Sequence, residues 1–431
     1  MNKTLSVDNS FSGSLCLKCV ESKLLDINQW LVNYERIHTP IYTSVDIRDA
    51  GFKIAVVDTN LFPAGFNNVC EHGLADGVEL IKKAIYKRVP NAKNVLIVAE
   101  EHTRNTWYLE NIRILQEIVT NAGFNAPIAT FFTKDPSFCE QTANAIELET
   151  ATGKSVKIFC FKRVLEKIKA GAQQFDLIIM NNDLTGGIPD ELRNSNIPVF
   201  PSMHAGWHAR HKSEHFLHTN ALMAEFANIV GVDPWQFSCL YEVIEDADVN
   251  NPTDLKRMHD AAVRLFAQIT AKYKEHHINQ KPFIFIKSDS GTYGLGVIPI
   301  EDPEQILKLN SRKRNDLVRG KGASSVTRYL LQEGVPTIHQ IEGSPSEVCI
   351  YQIENSLIGG FYRYNTGKNS RENLNSPGGM AFQKICPHLD KYGQDCGVKH
   401  NLNVFDIYRI LARIAGVAME QEIIKLEDQA K

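Results

Sequence analysis

A lysine followed by a glycine-rich loop is the segment of this sequence best equipped for chemistry. Lys287 ends an apolar strand, and residues 288–296 place three glycines among serine, threonine and tyrosine. Such a loop bends tightly and directs backbone N–H groups at phosphate oxygens, while the lysine supplies positive charge. It is neither a P-loop, because GxxxxGK[ST] is absent, nor a Rossmann turn, because a strand follows. The segment predicts a phosphate-binding hairpin, and the alternative is a hairpin whose glycines only turn the chain.

Three polar clusters follow apolar strands in the first half of the chain. They occupy residues 58–68, 100–105 and 181–187 and contain carboxylates, amides and one arginine. Together such groups can hold a small zwitterion such as an amino acid. Turn and N-cap chemistry is the alternative for any single residue, because Asn, Asp, Thr and Gly favour those positions. Three clusters after successive strands favour a ligand site in at least one of them.

Residues 201–218 contain five histidines, at positions 204, 208, 211, 215 and 218. Spacings of three and four would put several of them on one helical face, where they could bind a zinc ion. The positive charges of Arg210 and Lys212 would repel a cation, so contacts to an anion or substrate are favoured. A packed or solvated surface remains open.

The composition is that of a soluble globular enzyme of two or three domains. The chain has 431 residues, 43% of them hydrophobic, and a net charge of −3 from 47 basic and 50 acidic residues. This balance argues against a nucleic-acid coat protein or a membrane-surface binder. No apolar run approaches the ~20 residues of a membrane span, and the N-terminus shows no secretory h-region. The location is expected to be cytoplasmic, and the oligomeric state stays open, with a homo-oligomer among the options.

The nine cysteines are scattered along the chain. Cys16 and Cys19 form a CxxC pair, but no second pair stands at zinc spacing. Free, incidental thiols in a reducing compartment are therefore expected.

The front of the chain alternates strands and helices. Strands are predicted near 52–58, 94–99, 127–132, 156–160, 174–180 and 197–200, with helices at 72–88 and 105–122. This alternation predicts an α/β fold with a doubly wound, mostly parallel sheet in a substrate-binding domain over 1–205, with ligands beyond the carboxyl ends of its strands.

The second half of the chain has a different predicted order of helices and strands. Helices are predicted at 212–230 and 253–277, in a linker or first subdomain over 206–280. Residues 281–431 contain the glycine-loop hairpin, a short strand at 329–335, two strands joined by a turn at Glu354 and Asn355, a polar loop at 368–379 and a helix near 403–420. This order predicts an α+β nucleotide-binding region.

From about residue 212 onward, the sequence resembles the ATP-grasp superfamily of carboxylate–amine ligases. The segments that carry the resemblance are RHKSEHF, IKSDSGTYGLGV, YLLQEGV, EVCIYQIENSLIGGFYRYN and RENLNSPGG. The pattern departs from most members after the last loop, where the helix near 403–420 stands in place of a helix, a strand and further metal ligands.

The resemblance implies ATP as a co-substrate, Mg²⁺ as its metal and a role for each matching residue. Arg363 and Lys287 would be catalytic, with Arg363 at the γ-phosphate and the acyl phosphate. The residues that would bind ATP are Lys212, Lys287, Ser290, Gly291, Thr292, Gly294, Gln332, Glu333 and Val335. The residues that would bind the metal are Glu347, Glu372 and Asn375.

Nearly the whole chain is similar to a narrower family, the proteobacterial glutamate–cysteine ligases of the acidithiobacillus type. The segments DTNLFPAGFNN, EEHTRNTWYLEN, NNDLTGG, WHARHKSEHF and KSDSGTYGLGV carry this similarity. It implies ATP-dependent joining of the glutamate γ-carboxylate to the cysteine amine, the first step of glutathione synthesis. The polar clusters would then bind the amino acids, through Asp58, Asn60, Asn67, Arg104 and Asn182.

Two alternatives stay open at this point. One is another ATP-grasp ligase, such as a glutathione synthetase, with the same ATP half and different substrates. The other is a module that binds ATP without catalysis, against which Arg363 argues, because a pure binder has no need of an arginine at the γ-phosphate.

Overall fold

A computed structural model describes residues 5–7, 17–34, 39–132, 139, 145–290, 296–318, 326–376, 378–388 and 402–431. Within these ranges the chain is a mixed α/β protein with sheets of seven, six and four strands. The strands, numbered in chain order, are β1 (Leu5–Val7), β2 (Thr43–Asp49), β3 (Ile54–Asn60), β4 (Val95–Ala99), β5 (Ile128–Thr130), β6 (Ile146–Glu149), β7 (Ser155–Cys160), β8 (Leu177–Asn181), β9 (Val199–Phe200), β10 (Tyr241–Ile244), β11 (Ile284–Ser288), β12 (Ile298–Ile300), β13 (Tyr329–Glu333), β14 (His339–Ile341), β15 (Ser344–Ile353), β16 (Ser356–Asn365) and β17 (Met380–Ile385).

The helices predicted at 72–88, 105–122, 212–230 and 253–277 are confirmed. The helices, numbered in chain order, are α1 (Leu17–Glu21), α2 (Leu24–Val32), α3 (Glu71–Arg88), α4 (Thr106–Asn121), α5 (Phe161–Lys169), α6 (Asp190–Arg193), α7 (Lys212–Val230), α8 (Pro252–Glu275), α9 (Glu304–Leu307), α10 (Ser311–Val318) and α11 (Leu402–Gln429). The last is longer than the helix predicted near 403–420. No helix within the described ranges is both long enough and apolar enough to cross a membrane.

The six-stranded sheet is mostly parallel and has the strand order β6-β7-β5-β4-β8-β9. Of its strand pairs, β6 with β7 is antiparallel and the others are parallel. Successive residues of β4 point to opposite faces, so Ile97 packs in one apolar cluster with α3 and α4, and Val98 packs in another with α5 and α6. The strands predicted near 94–99, 127–132, 156–160 and 174–180 are confirmed.

The strand predicted at 52–58 belongs to a different sheet, so its assignment to the parallel sheet is wrong. Here β3 pairs antiparallel with β2, and β2 pairs antiparallel with β15. A tight turn closes the β2–β3 hairpin through a 2.8 Å bond from the Ala50 N–H to the Lys53 carbonyl. Strand β2 escaped prediction because it alternates apolar residues with the charged Asp46 and Arg48, although all seven of its residues are buried.

The seven-stranded sheet, built around β3-β2-β15-β16-β17, buries apolar residues on both faces, and one of these faces also carries a charged network. Residues such as Val45, Ile47 and Val348 pack against α7 and α11 in a single apolar cluster. The opposite face, which we call the polar face, carries Asp46, Arg48, Glu347 and Arg363, beside apolar residues such as Cys349 and Phe361 that pack with α3. The predicted turn between β15 and β16 is confirmed, with positive φ at Glu354 and Asn355.

The four-stranded sheet has the order β10-β13-β11-β12 and packs on α8. Strands β11 and β12 pair antiparallel, which confirms the predicted hairpin around the glycine loop.

Cys139 and Cys160, which belong to the parallel-sheet region, are joined by a disulfide. The expectation of free thiols is therefore wrong for this pair, because the fold brings together two cysteines 21 positions apart. It is also wrong for Cys19, which is disulfide-bonded too.

Two glycines of α3 give a matched test of how closely this helix approaches the large sheet. A Cβ on Gly73 would lie 1.7 Å from the Ile358 carbonyl oxygen, whereas one on Gly77 would meet nothing closer than 3.5 Å. We expect Gly73→Ala to destabilise the fold by about 1–3 kcal/mol through overpacking. Gly77→Ala should raise stability by about 0.5–1 kcal/mol, because alanine restricts the unfolded chain. Urea unfolding midpoints measure both, and equal effects would contradict the close approach.

Candidate active site

Two lysines lie beside one aspartate where helix α7 meets the four-stranded and the seven-stranded sheets. Lys212, the first residue of α7, places Nζ 2.6 Å from Oδ1 of Asp58 near the end of β3. Lys287, in β11, places Nζ 3.4 Å from the Val57 carbonyl oxygen. Lys212 and Lys287 are predicted to bind ATP and Asp58 is predicted to bind an amino acid, and the structure brings these three residues together.

Asp289 explains why the two lysines are neighbours. It follows β11 directly, and its carbonyl oxygen accepts the backbone N–H of Lys212 at 2.7 Å. Its fully buried carboxylate accepts both the backbone N–H and the hydroxyl of Ser213, at 2.8 and 2.6 Å. The start of α7 is thus capped by the strand that carries Lys287, which fixes the distance between the two elements.

The cluster lowers the pKa values of both Lys287 and Asp58, for different reasons. Burial, together with the charge of Lys212, lowers the pKa of Lys287 to about 8. Burial alone would raise the pKa of Asp58, but Lys212 and Lys287 outweigh it and lower that pKa to about 2. Near neutral pH the cluster therefore holds two positive charges and one negative charge. Such a site attracts an anion.

Trp207 and Arg210 extend this positive region. The Trp207 ring lies 4.7 Å from Lys212 Nζ and 4.4 Å from Arg210 Cζ, at cation–π distance from both. Arg210 is 1% exposed and pairs with Glu422 of α11, while its Nη1 has no hydrogen-bond partner within the described ranges. The sequence analysis gave Arg210 no role beyond repelling a metal, because its partner is more than 200 residues away.

The polar face of the large sheet carries a second network, built on Arg363. Its Nη1 lies 2.9 Å from Asp46 and 2.8 Å from Glu347, and Arg48 Nε lies 2.7 Å from the other oxygen of Glu347. All four side chains are buried. Asp46 and Arg48 were missed by the sequence analysis, since nothing in β2 marks it as facing Arg363.

The two carboxylates of this network differ in electrostatic environment. Burial, and then the nearby Glu347 and Asp58, raise the pKa of Asp46, although Arg363 opposes the shift. Burial also acts to raise the pKa of Glu347, but Arg48 and Arg363 outweigh it and lower that pKa. Because Asp46 stands opposite Asp58 in the β2–β3 hairpin, the network adjoins the lysine cluster. The combined surface offers cations for phosphate and oxygen ligands for a hard metal ion.

The other predicted metal ligands lie on the loop after β16, and Arg48 links this loop to Glu347. Arg48 Nη2 donates to the backbone carbonyl of Glu372 at 2.7 Å. The Glu372 carboxylate itself lies 3.2 Å from Lys368, and the Asn375 N–H bonds the Asn373 side chain. Glu347 therefore sits in the network, whereas Glu372 is bound to it through its backbone.

The residues predicted at the purine differ in their surroundings. Gln332, Glu333 and Val335 are all buried at the end of β13. The Glu333 carboxylate is already held by Lys53 at 2.7 Å, by the Trp235 indole N–H at 3.0 Å and by the Leu240 N–H. That side chain stabilises the four-stranded sheet, so an adenine contact there would involve the backbone. Of the predicted loop residues, Ser290 accepts a bond from the Ser288 hydroxyl at its carbonyl, and Gly291, Thr292 and Gly294 lie outside the described residues.

The residues predicted to bind the amino-acid substrates lie at or after different strands of the first half of the chain. Asn60 ends β3 opposite Ser44, and Arg104 is exposed before α4. The Asn67 amide contacts Asn68 at 3.5 Å. Asn182 donates to the Ala99 carbonyl at 3.3 Å and accepts from the Leu184 N–H. The structure thus gives Asn182 a bracing role between β4 and β8, and it brings Asp58 alone of the five into the lysine cluster.

The histidines of 204–218 do not converge on a metal. No three of them share a centre within the described ranges. His215 is buried between Glu422 and Thr219, and burial lowers its pKa. His208 bonds the Leu184 carbonyl at 3.0 Å, and burial lowers its pKa too.

Comparison with solved structures finds a protein of the same overall fold. A structure from Methylobacillus flagellatus KT, described as a candidate gamma-glutamylcysteine synthetase, is 31% identical with a TM-score of 0.82. The match covers 96% of this chain and 99% of that one. D-alanyl-alanine synthetase A from Vibrio cholerae O1 biovar eltor matches at 13% identity and a TM-score of 0.33, over 75% of this chain and 81% of that one. No curated protein sequence matches.

Comparison with protein families identifies the chain more specifically than its overall fold does. The family model GshA, described as glutamate-cysteine ligase, matches residues 18–423. This range contains the lysine cluster, the Arg363 network and every predicted site residue. The chain is therefore a ligase and belongs to the glutamate–cysteine ligase family.

Proposed function

We propose that this enzyme uses ATP to join the γ-carboxylate of L-glutamate to the amine of L-cysteine through an acyl phosphate, as the first step of glutathione synthesis. The observation that carries the proposal is the meeting of Lys212, Lys287 and Asp58 beside the Arg363 network. Family membership supplies the substrate class. ATP, glutamate and cysteine are its partners. We further propose that it is located in the cytoplasm and that it belongs to the acidithiobacillus-type branch of the family.

The first half of the reaction transfers a phosphoryl group. A γ-carboxylate oxygen of glutamate attacks the γ-phosphorus of ATP, the bond to the β-phosphate oxygen breaks, and ADP leaves. Lys212 and Lys287 hold the α- and β-phosphates, and Arg363 stabilises charge on the transferring group. Catalysis of this kind is mostly positioning and charge stabilisation, which is what fixed, buried cations provide.

The second half forms the amide bond. The cysteine amine attacks the acyl carbon, the bond to phosphate breaks, inorganic phosphate leaves, and the amine gives up its proton. The strand-end residues Asn60, Asn67, Arg104 and Asn182 remain our candidates for contacts to the amino acids. Asp58 is a further candidate, and its carboxylate lies 2.6 Å from Lys212 Nζ.

The residues near Arg363 suit Mg²⁺. Asp46 and Glu347 offer oxygen atoms only, the donor type that this ion prefers. We propose that Glu347 holds the metal, with Glu372 and Asn375 from the adjoining loop. A Mg²⁺ ion held by these residues would offset the negative charge of the ATP phosphates. Arg48 and Arg363 meanwhile keep Glu347 ionised.

A substrate-dependence assay tests the function. Purified protein with ATP and Mg²⁺ should release phosphate when glutamate and cysteine are offered together, and far less with either amino acid alone. Release with γ-glutamylcysteine and glycine instead would point to a glutathione synthetase. Bound ATP without release in any mixture would point to a non-catalytic module. Either of these two results would contradict the proposal.

The pKa of Lys287 predicts how ATP affinity depends on pH. Its pKa is lowered to about 8, so the lysine loses its charge as the pH rises through that value. Only the charged form attracts phosphate. Raising the pH from about 7.5 to about 9.5 should therefore weaken ATP binding roughly tenfold or more. Calorimetry in two buffers should show uptake of about half a proton on binding near pH 8.

Lys287→Arg is the matched control, because arginine stays charged across this range. Its ATP affinity should vary little between these pH values, whatever its absolute strength. A flat profile in the unmodified protein, or an equally steep one in Lys287→Arg, would remove Lys287 from the phosphate site.

A further inference from the structure

Three side chains with metal-binding chemistry converge at the edge of the large sheet, away from the Arg363 network. Cys70 directly precedes α3, His72 is the second residue of that helix, and Cys386 follows β17. One ligand atom from each lies within 4.8 Å of the others, and Cys386 Sγ is 4.0 Å from His72 Nδ1. In a tetrahedral zinc site, neighbouring sulfur and nitrogen ligands are about 3.5 Å apart. Only a small adjustment would therefore close the three around an ion.

Each of the two sulfurs also accepts a backbone N–H. Gly73 donates to Cys70 Sγ, and His388 donates to Cys386 Sγ, both at 3.4 Å. Cys70 is the N-cap of α3, where the helix dipole favours negative charge. Both contacts therefore place partial positive charge against the sulfur atoms that would bind the metal. This second observation is independent of how close the three side chains lie.

His388 is a candidate fourth ligand, because its backbone already contacts Cys386 Sγ. His388 is two residues after Cys386, and its ring Nε2 is hydrogen-bonded to the Asp76 carboxylate. Carboxylates of this kind orient the histidines that bind zinc. Both side chains are partly exposed, at 37% and 42%, so the site opens toward solvent on the side from which an ion would enter.

We propose that Cys70, His72 and Cys386 bind a structural Zn²⁺ ion, with His388 completing a tetrahedral shell. The mixture of sulfur and imidazole suits zinc and excludes Mg²⁺, which prefers oxygen. Cys70 and Cys386 are 3% and 1% exposed, so the ion would be buried on the protein side. The site would fasten the start of α3 to the end of β17, whose Phe382 pairs with Arg363 in the sheet.

Metal content tests the proposal directly. Protein purified without chelators and dialysed against metal-free buffer should contain about one zinc per chain by mass spectrometry. Cys70→Ala and Cys386→Ala should each lose at least about nine-tenths of it. Cys239→Ala is the control, because this buried cysteine lies in another apolar cluster and should leave the zinc in place. Circular dichroism shows whether each variant is folded.

Cobalt replacement keeps the test decisive if a cysteine variant does not fold. The unmodified protein, stripped of zinc and loaded with Co²⁺, should show thiolate-to-cobalt charge transfer and the strong visible bands of a tetrahedral site. His72→Ala should weaken or abolish them. Protein that holds no zinc and gives no such spectrum would overturn the proposal. So would zinc that stays after the cysteine replacements, or a disulfide between Cys70 and Cys386 in place of the metal.

Discussion

Two buried lysines held close together beside one aspartate are the constraint on which the arrangement of this molecule depends. Lys212 comes from a helix, Lys287 from the four-stranded sheet and Asp58 from the seven-stranded sheet, so their meeting fixes three elements relative to one another. Like charges held out of water repel each other strongly and keep this position only if the surrounding structure imposes it. Asp289 imposes it by tying the start of α7 to the end of β11. The positive charge left over is what an anionic substrate would neutralise.

The Arg363 network, unlike the lysine cluster, contains two arginines and two carboxylates whose charges nearly cancel. These four side chains can therefore be buried together on one face of the sheet. Removing one partner would leave a charge unpaired. An arriving phosphate and metal ion can exchange partners with the network without changing its overall balance. The apolar clusters behind the sheet supply the stability that such a polar face does not.

The sequence predicted the parts of this account that depend on local pattern. Hydrophobic periodicity, together with glycines at the ends of the elements, predicted the helices α3, α4, α7 and α8, the parallel strands and the hairpin around the glycine loop. Lys212, Lys287 and Arg363 came from the resemblance to ATP-grasp ligases. The strand containing Asp46 and Arg48 was missed, because a buried strand with one charged face looks like an exposed one. Cys70 and Cys386 lie more than 300 positions apart, so no spacing rule could pair them.

The central claim is that the ATP phosphates lie between the lysine pair and Arg363. The most direct measurement is a crystal structure with a non-hydrolysable ATP analogue, Mg²⁺ and glutamate. We predict that Lys212 and Lys287 contact the α- and β-phosphates, that Arg363 contacts the γ-phosphate, and that the glutamate γ-carboxylate lies beside it. Phosphates bound elsewhere, with the bond between Lys212 and Asp58 and the Arg363 network unchanged, would contradict the account.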